Sequence, residues 1–231
     1  HKEIRYLITP TTAAWSLGRV MTRDVAAANT PRRPIGTDAH LGASWQTAHK
    51  PLLFVITIGE TARAANWGLN QPAAARAAHD TTPKLARRDV INFPDVSSCG
   101  TNTEVSLPCM FSVQGRRHYD EDAIHASESL LNVLQHAGLR VVWNDNQSGC
   151  KGVCTGLETM RPDPAAFPAL CPDNHCFDEA LVDSSRSLLR DAQGNLVLVL
   201  HQLGNHGPSY FRRYPEAFRR FSAAGVAQAG G

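Results

Sequence analysis

The chain of 231 residues contains no apolar run longer than "LLFVITI", Leu52 to Ile58, far short of the ~18–20 residues that a membrane-spanning helix requires. Charge bias is absent too: 23 Lys and Arg stand against 21 Asp and Glu, with no long run of either sign. No nucleic-acid partner is therefore expected. There is no initiator Met and no basic stretch followed by an apolar block at the start, so a signal peptide is absent or removed, and the chain reads as an excised piece. Closely spaced Cys-x-x-Cys knuckles are missing as well. What remains is an ordinary globular composition, 42% hydrophobic and 19% charged, enough to bury one core and form one domain.

The six cysteines lie between Cys99 and Cys176 in near pairs, Cys99/Cys109, Cys150/Cys154 and Cys171/Cys176. Short loops of this kind suit disulfides in an oxidising compartment, each contributing about 2–3 kcal/mol by restricting the unfolded chain. Six cysteines formally allow ~15 pairings. Structural zinc is the competing reading, and it fits poorly because zinc sites favour closer ligand spacing. An extracytoplasmic location follows from the disulfide reading.

Residues 1–50 carry scattered Pro and Gly and no sustained apolar period beyond a short helix near Thr11 to Val20; they read as a lead-in to the core. From Pro51 the pattern changes. "PLLFVITIGETARAANWG" reads as a buried strand that ends at Glu60 and feeds a helix. "SESLLNVLQHAGLRVVWND" places Ser127 as N-cap, an apolar helix face at Leu130, Leu131 and Leu134, a stop at Gly138 and a strand over Leu139–Trp143. "DEALVDSSRSLLRDAQGNLVLVLHQLGNHGP" repeats the pattern, with a helix over Asp178–Leu189 and a strand over Leu196–Leu200 running into His201 and His206. Alternating helices and uninterrupted apolar strands predict an α/β fold with a mainly parallel central sheet flanked by helices, whose ligands collect beyond the carboxyl ends of the strands. Glu60, the segment Asn144–Lys151, and the His201/His206 pair sit at those ends.

The stretch "FPDVSSCGTNTEVSLPC", residues 93–109, sets Thr101 and Thr103 just before a segment able to start a helix, with Glu104 near its positive end. A hydroxyl among unpaired helix-start amides suits phosphate binding and, with a metal to help deprotonate it, nucleophilic attack. On this stretch alone, a helix cap is the plainer reading of the same hydroxyls. Lys151 alone would be a solvated surface residue, and His201 at a strand end a hydrogen-bonded structural histidine.

Four blocks, "IGETARAANWGLN", "SSCGTNTEVSLPCMFS", "WNDNQSGCKGVC" and "LHQLGNHGPSYFRRYP", together resemble the lipid A phosphoethanolamine transferases, the family that includes the mobile colistin-resistance enzymes. The resemblance implies a catalytic domain of the alkaline phosphatase and sulfatase type, on the periplasmic face of the bacterial inner membrane, joined to an N-terminal membrane domain absent from this chain. It divides the chain into a lead-in, 1–50, the N-terminal part of the catalytic domain, 51–221, and an irregular tail, 222–231. By position in these blocks, Glu60 matches a zinc ligand and Thr103 the nucleophile, which also ligates Zn2+. Lys151, with Thr101, Gln147 and Ser148, would position the substrate's phosphoethanolamine. His206 matches a substrate-side histidine able to protonate a leaving oxygen, and His201 is a further candidate on the substrate side or just behind it.

The implied reaction is ping-pong. Thr103 takes phosphoethanolamine from phosphatidylethanolamine and passes it to a phosphate of lipid A, in a protein expected to be monomeric. Another reaction of the same superfamily, as a phosphodiesterase or phosphoglycerol transferase, and a non-catalytic disulfide-stapled fragment are the alternatives. The family completes its zinc site with an Asp-His pair in a later "SDHGE" block, and no such block occurs in these residues. The fold is therefore expected to be incomplete at its C-terminal end, and the fragment alone to have little or no activity.

Overall fold

The computed structural model describes residues 31–46, 50–78, 80–207 and 209–219; the helix expected near Thr11–Val20 and the tail at 222–231 lie outside them. The apolar runs become strands β1 (Leu53–Ile58), β2 (Arg140–Asp145) and β4 (Leu196–His201), joined by a short strand, β3 (Glu158–Met160), whose three residues carry no apolar run. All pairings are parallel and the order is β1-β4-β2-β3. The helices are α1 (Ala43–Gln46), α2 (Ala73–Ala78), α3 (Thr103–Met110), α4 (Glu121–His125), α5 (Leu130–His136), α6 (Glu179–Ser184) and α7 (Arg186–Asp191).

Strand alternation divides the core into two layers. Val141 and Trp143 of β2 and Val197 and Val199 of β4 face Leu107 and Phe111, in and just after α3, and Leu131 of α5. Val142, Leu196, Leu198 and Leu200 face the opposite side, against Leu181 of α6. Every residue of β4 is buried, as a central strand covered on both faces requires. β1 departs from expectation: Leu53, Phe54 and Val55 are exposed, because among the described residues β1 is the edge of the sheet, with β4 as its one strand neighbour. A continuous apolar run announces a strand but not what lies on its outer side.

Local boundaries shift for identifiable reasons. The N-cap of α5 is Ser129, not Ser127: Ser129 Oγ accepts from the Leu131 amide, and the Asn132 side chain accepts from the Ser129 amide, a reciprocal cap. Ser127 is instead buried beside the lead-in, where its hydroxyl accepts from Arg33. Residues 32–36 dock on the domain through Arg33 and Ile35, and Arg32 bonds the Gly152 carbonyl. Gly138 ends α5 at φ +86°, the left-handed conformation that glycine adopts without strain. The single helix expected over 178–189 is split into α6 and α7 at Ser185. Its hydroxyl donates to the Leu181 carbonyl at 2.7 Å, a back-bond that competes with helix continuation.

Asn144 reinforces that split. Fully buried on β2, its amide donates to the Leu181 carbonyl and to the hydroxyls of Ser184 and Ser185, at 2.9–3.0 Å. The three disulfides join the near pairs Cys99–Cys109, Cys150–Cys154 and Cys171–Cys176. Replacing Asn144 with Ala removes the amide shared by the hydroxyls of Ser184 and Ser185, while the Leu181 carbonyl keeps Ser185 as a donor, so Asn144→Ala should lower the unfolding free energy by about 1–3 kcal/mol in urea titrations. An unchanged midpoint would contradict the role given to this side chain.

Candidate active site

In the sheet register Ile58, His201 and Asp145 stand abreast, so the loops after β1, β4 and β2 leave from one edge, the carboxyl end. Glu60 follows β1 directly. Its Oε1 accepts from the Thr61 hydroxyl at 2.9 Å, and its Oε2 accepts from Thr103 Oγ1 at 2.9 Å and from Gln147 Nε2 at 3.1 Å. Thr103 is the first residue of α3, and the helix is capped by the residue before it. Asn102 Oδ1 accepts from the Val105 amide at 3.0 Å. Capping therefore falls to Asn102, and the Thr103 hydroxyl is left to point at Glu60.

The contacts close into a ring. Gln147 Oε1 accepts from the Ser148 hydroxyl, Lys151 Nζ donates to Ser148 Oγ at 3.2 Å, and Nζ pairs with Glu104 Oε1 at 2.9 Å. Thr103 and Glu104 are neighbours, so the circuit begins and ends on the first turn of α3. Thr61 and Lys151 both hold left-handed φ values, 55° and 50°, a conformation that costs a non-glycine residue about 1–3 kcal/mol and clusters at functional sites. The Cys150–Cys154 disulfide closes the loop carrying Lys151, and Cys99–Cys109 ties the turn before Thr103 to its own helix.

Two further loops hold the histidines. Asp178 accepts from the backbone amides of Leu203 and Gly204 and from Asn146 Nδ2, at 2.8–2.9 Å, which fastens the β4 loop to the β2 loop. Gly204 lies so close to Glu60 that a Cβ there would sit 2.7 Å from the Glu60 carbonyl oxygen. His206 Nδ1 donates to the Gly207 carbonyl at 2.8 Å, which leaves Nε2 as the nitrogen able to exchange a proton with a ligand. His201 is not brought to the ring. Only 1% exposed, it packs edge-on against Trp143, with Nδ1 2.7 Å from Asp145 Oδ1, so its side chain is a core element beneath the site. Thr101 sits exposed on the turn before α3, and among the described residues its side chain makes no hydrogen bond to the ring.

Burial pushes the Glu60 carboxyl upward, but hydrogen bonds from Thr103, Thr61 and Gln147, with the nearby His206, outweigh it and hold its pKa below the ordinary value. Glu60 is thus an ionised acceptor at neutral pH. Glu60 and Thr103 offer two oxygen donors to a cation. Among the described residues no group of three His, Cys, Asp or Glu side chains converges to hold one. The two oxygens suit part of a zinc ligand set, since catalytic zinc uses about three protein ligands.

Asp145 behaves similarly: burial raises its pKa, and hydrogen bonds from His201, Trp143 and the Gly149 amide outweigh burial, so the net shift is downward. A carboxyl whose folded-state pKa is depressed stabilises the fold above its unfolded value of about 3.9 and loses that contribution as pH falls through the folded value. Wild type should therefore melt higher than Asp145→Asn at pH 7, with the gap closing below about pH 4. A gap that stays constant down to pH 2 would contradict this account. In the sequence Asn102 and Asp178 carry no signal as partners in the site; Glu104 stands out only for its place at a helix start, and Asp145 only as part of the strand-end segment Asn144–Lys151.

The chain is similar to known proteins. The Sulfatase family model matches residues 53–229. Phosphoethanolamine transferase EptA of Escherichia coli (strain K12) is 40% identical over 195 residues, 84% of this chain and 35% of that protein. Phosphatidylethanolamine transferase Mcr-1 of Escherichia coli is 36% identical over 232 residues, 96% of this chain and 42% of that protein. Among solved structures, the integral membrane protein lipooligosaccharide phosphoethanolamine transferase A (EptA) from Neisseria meningitidis superposes with a TM-score of 0.78 at 37% identity, covering 96% of this chain and 40% of that one. The chain thus spans 35–42% of the length of these curated relatives. With the family model matched across β1, the Thr103 helix and the β4 loop, the chain belongs to the sulfatase family.

Proposed function

We infer that this chain forms the nucleophile-bearing part of a zinc-dependent phosphoethanolamine transferase that takes phosphoethanolamine from phosphatidylethanolamine and delivers it to a phosphate of lipid A. The observation that carries the reading is the Thr103 hydroxyl at 2.9 Å from an ionised Glu60, with Lys151 pinned one residue away on Glu104. Relatives named for this transfer support it, and one of them is described as an integral membrane protein. The site would accordingly work at the periplasmic face of the inner membrane, with membrane-embedded segments outside this chain.

Glu60 and Thr103 would be the chain's contribution to a zinc ion, which when bound lowers the hydroxyl pKa and offsets charge on phosphoryl oxygens. Lys151 sits where it can neutralise a phosphoryl oxygen beside Thr103, drawing on its contacts with Ser148 and Glu104. Thr103 Oγ1 bonds to phosphorus and its proton leaves along the hydrogen bond to Glu60 Oε2. The bond from phosphorus to the glyceryl oxygen breaks, and His206 Nε2 in its protonated form gives that oxygen a proton, releasing diacylglycerol. Phosphoethanolamine is then esterified to Thr103. Gln147 and Ser148 keep Glu60 and Lys151 in register throughout.

The test uses the full-length protein with phosphatidylethanolamine. Peptide mass spectrometry should find phosphoethanolamine on Thr103, absent in Thr103→Ala, and Lys151→Ala should slow its formation about 10- to 100-fold. Release of diacylglycerol with no adduct on Thr103 would overturn the covalent reading and favour a phosphodiesterase.

A further inference from the structure

A second opening lies behind Gln147 and Ser148. It is a cavity of about 530 Å3 whose wall includes Arg161, His175, His206 and Arg213 and which shares Gln147, Ser148 and His206 with the site described above. Its cationic groups are separate from Lys151, the cation placed beside Thr103.

The arginines are poorly used by the protein itself. Arg161 has a side chain 72% exposed, and its ion pair with Asp145 Oδ2 is long at 3.8 Å. Asp145 is already engaged: Oδ1 by His201 and Trp143, and Oδ2 by the Gly149 amide at 2.9 Å. Arg213 donates through Nε to the His206 carbonyl at 2.9 Å; among the described residues its terminal nitrogens make no other bond. His175 is exposed in the Cys171–Cys176 loop, where Asp173 and Asn174 both take left-handed φ values, 55° and 60°. Guanidinium forks in a concave wall match phosphate oxygens two at a time. Asn174, with the rings of Pro162 and Pro164, also lines the cavity, offering an amide for hydroxyls and flat apolar faces for a sugar ring.

We propose that this cavity is the acceptor subsite and that it binds a sugar phosphomonoester, with Arg161 and Arg213 on the phosphate. The inference rests on the transferase reading and adds where the second substrate sits. In the second half of the transfer, an oxygen of the acceptor phosphate bonds to the phosphorus carried by Thr103. The Oγ1–P bond breaks, its electron pair returns to Oγ1, and Oγ1 recovers its proton from Glu60. The proton that the acceptor's attacking oxygen carried passes to His206 Nε2. A diphosphate ester is formed and both enzyme groups are reset. Of the three residues shared by the cavity and the Thr103 site, Gln147, Ser148 and His206, His206 is the one able to carry a proton, which suits a group that gives a proton in the first half and takes one in the second.

The experiment titrates the full-length protein by calorimetry with two soluble probes, glucose 1-phosphate for the acceptor and O-phosphorylethanolamine for the donor headgroup. Arg161→Gln should weaken glucose 1-phosphate about tenfold, as loss of a charge-assisted hydrogen bond does, and leave O-phosphorylethanolamine within about twofold. Lys151→Ala should do the reverse. His175→Gln, at an exposed position, repeats the first arm with a smaller loss and guards against a folding artefact. Absence of glucose 1-phosphate binding in the wild type overturns the acceptor subsite. So does a glucose 1-phosphate affinity that falls with Lys151→Ala and ignores Arg161→Gln, since both phosphates would then share one place. Binding of O-phosphorylethanolamine that ignores Lys151→Ala counts against the donor side of the transferase reading, and the two failures are thereby told apart.

Discussion

The hydrogen bond from Thr103 Oγ1 to Glu60 Oε2 joins the end of β1 to the start of α3 across 43 residues of sequence, and the rest of the site is arranged around it. It requires Asn102, not a threonine, to cap α3, and the Gly204 backbone to pass against Glu60 without a Cβ between them. It also recruits the β2 loop, because Gln147 shares the same carboxylate oxygen and passes the connection through Ser148 to Lys151 and back to Glu104. A parallel sheet supplies the geometry: loops far apart in sequence leave from the same edge. Fixing a hydroxyl in this way before a ligand arrives removes reorganisation from the reaction itself.

Much of this architecture was legible in the residues. The apolar stretches at 53–58, 141–143 and 196–200 are strands of a parallel sheet, and the polar residues that end them collect at one edge. Even numbers of cysteines in short loops read correctly as local disulfides. What escaped depends on choices between near-equal neighbours or on distant chain. Ser127 and Ser129 are equivalent as caps until Arg33 claims one of them. One helix and two differ by whether a serine bonds its own backbone, which was settled by Asn144 reaching across from the sheet. His201 and His206 are both strand-end histidines in sequence, yet β4 pairing buries the first and leaves the second in the loop.

The disulfides belong to the same logic. Each encloses a short segment near the site: one around Thr103, one around Lys151, one presenting His175. Short loops offer modest entropic stabilisation, so their value here lies in limiting where a few functional side chains can point. Left-handed residues Lys151, Asp173 and Asn174 lie within these loops, and Thr61 stands next to Glu60. That placement links backbone conformation to the donor site and to the proposed acceptor wall.

The central claim is that Glu60 activates and orients the Thr103 hydroxyl. The most direct measurement is the rate at which a fluorophosphonate labels Thr103 in the full-length protein, compared between wild type and Glu60→Gln under matched zinc. Loss of the ionised acceptor should slow labelling about 100-fold or more while the fold is retained. Equal labelling rates in the two proteins would contradict the account.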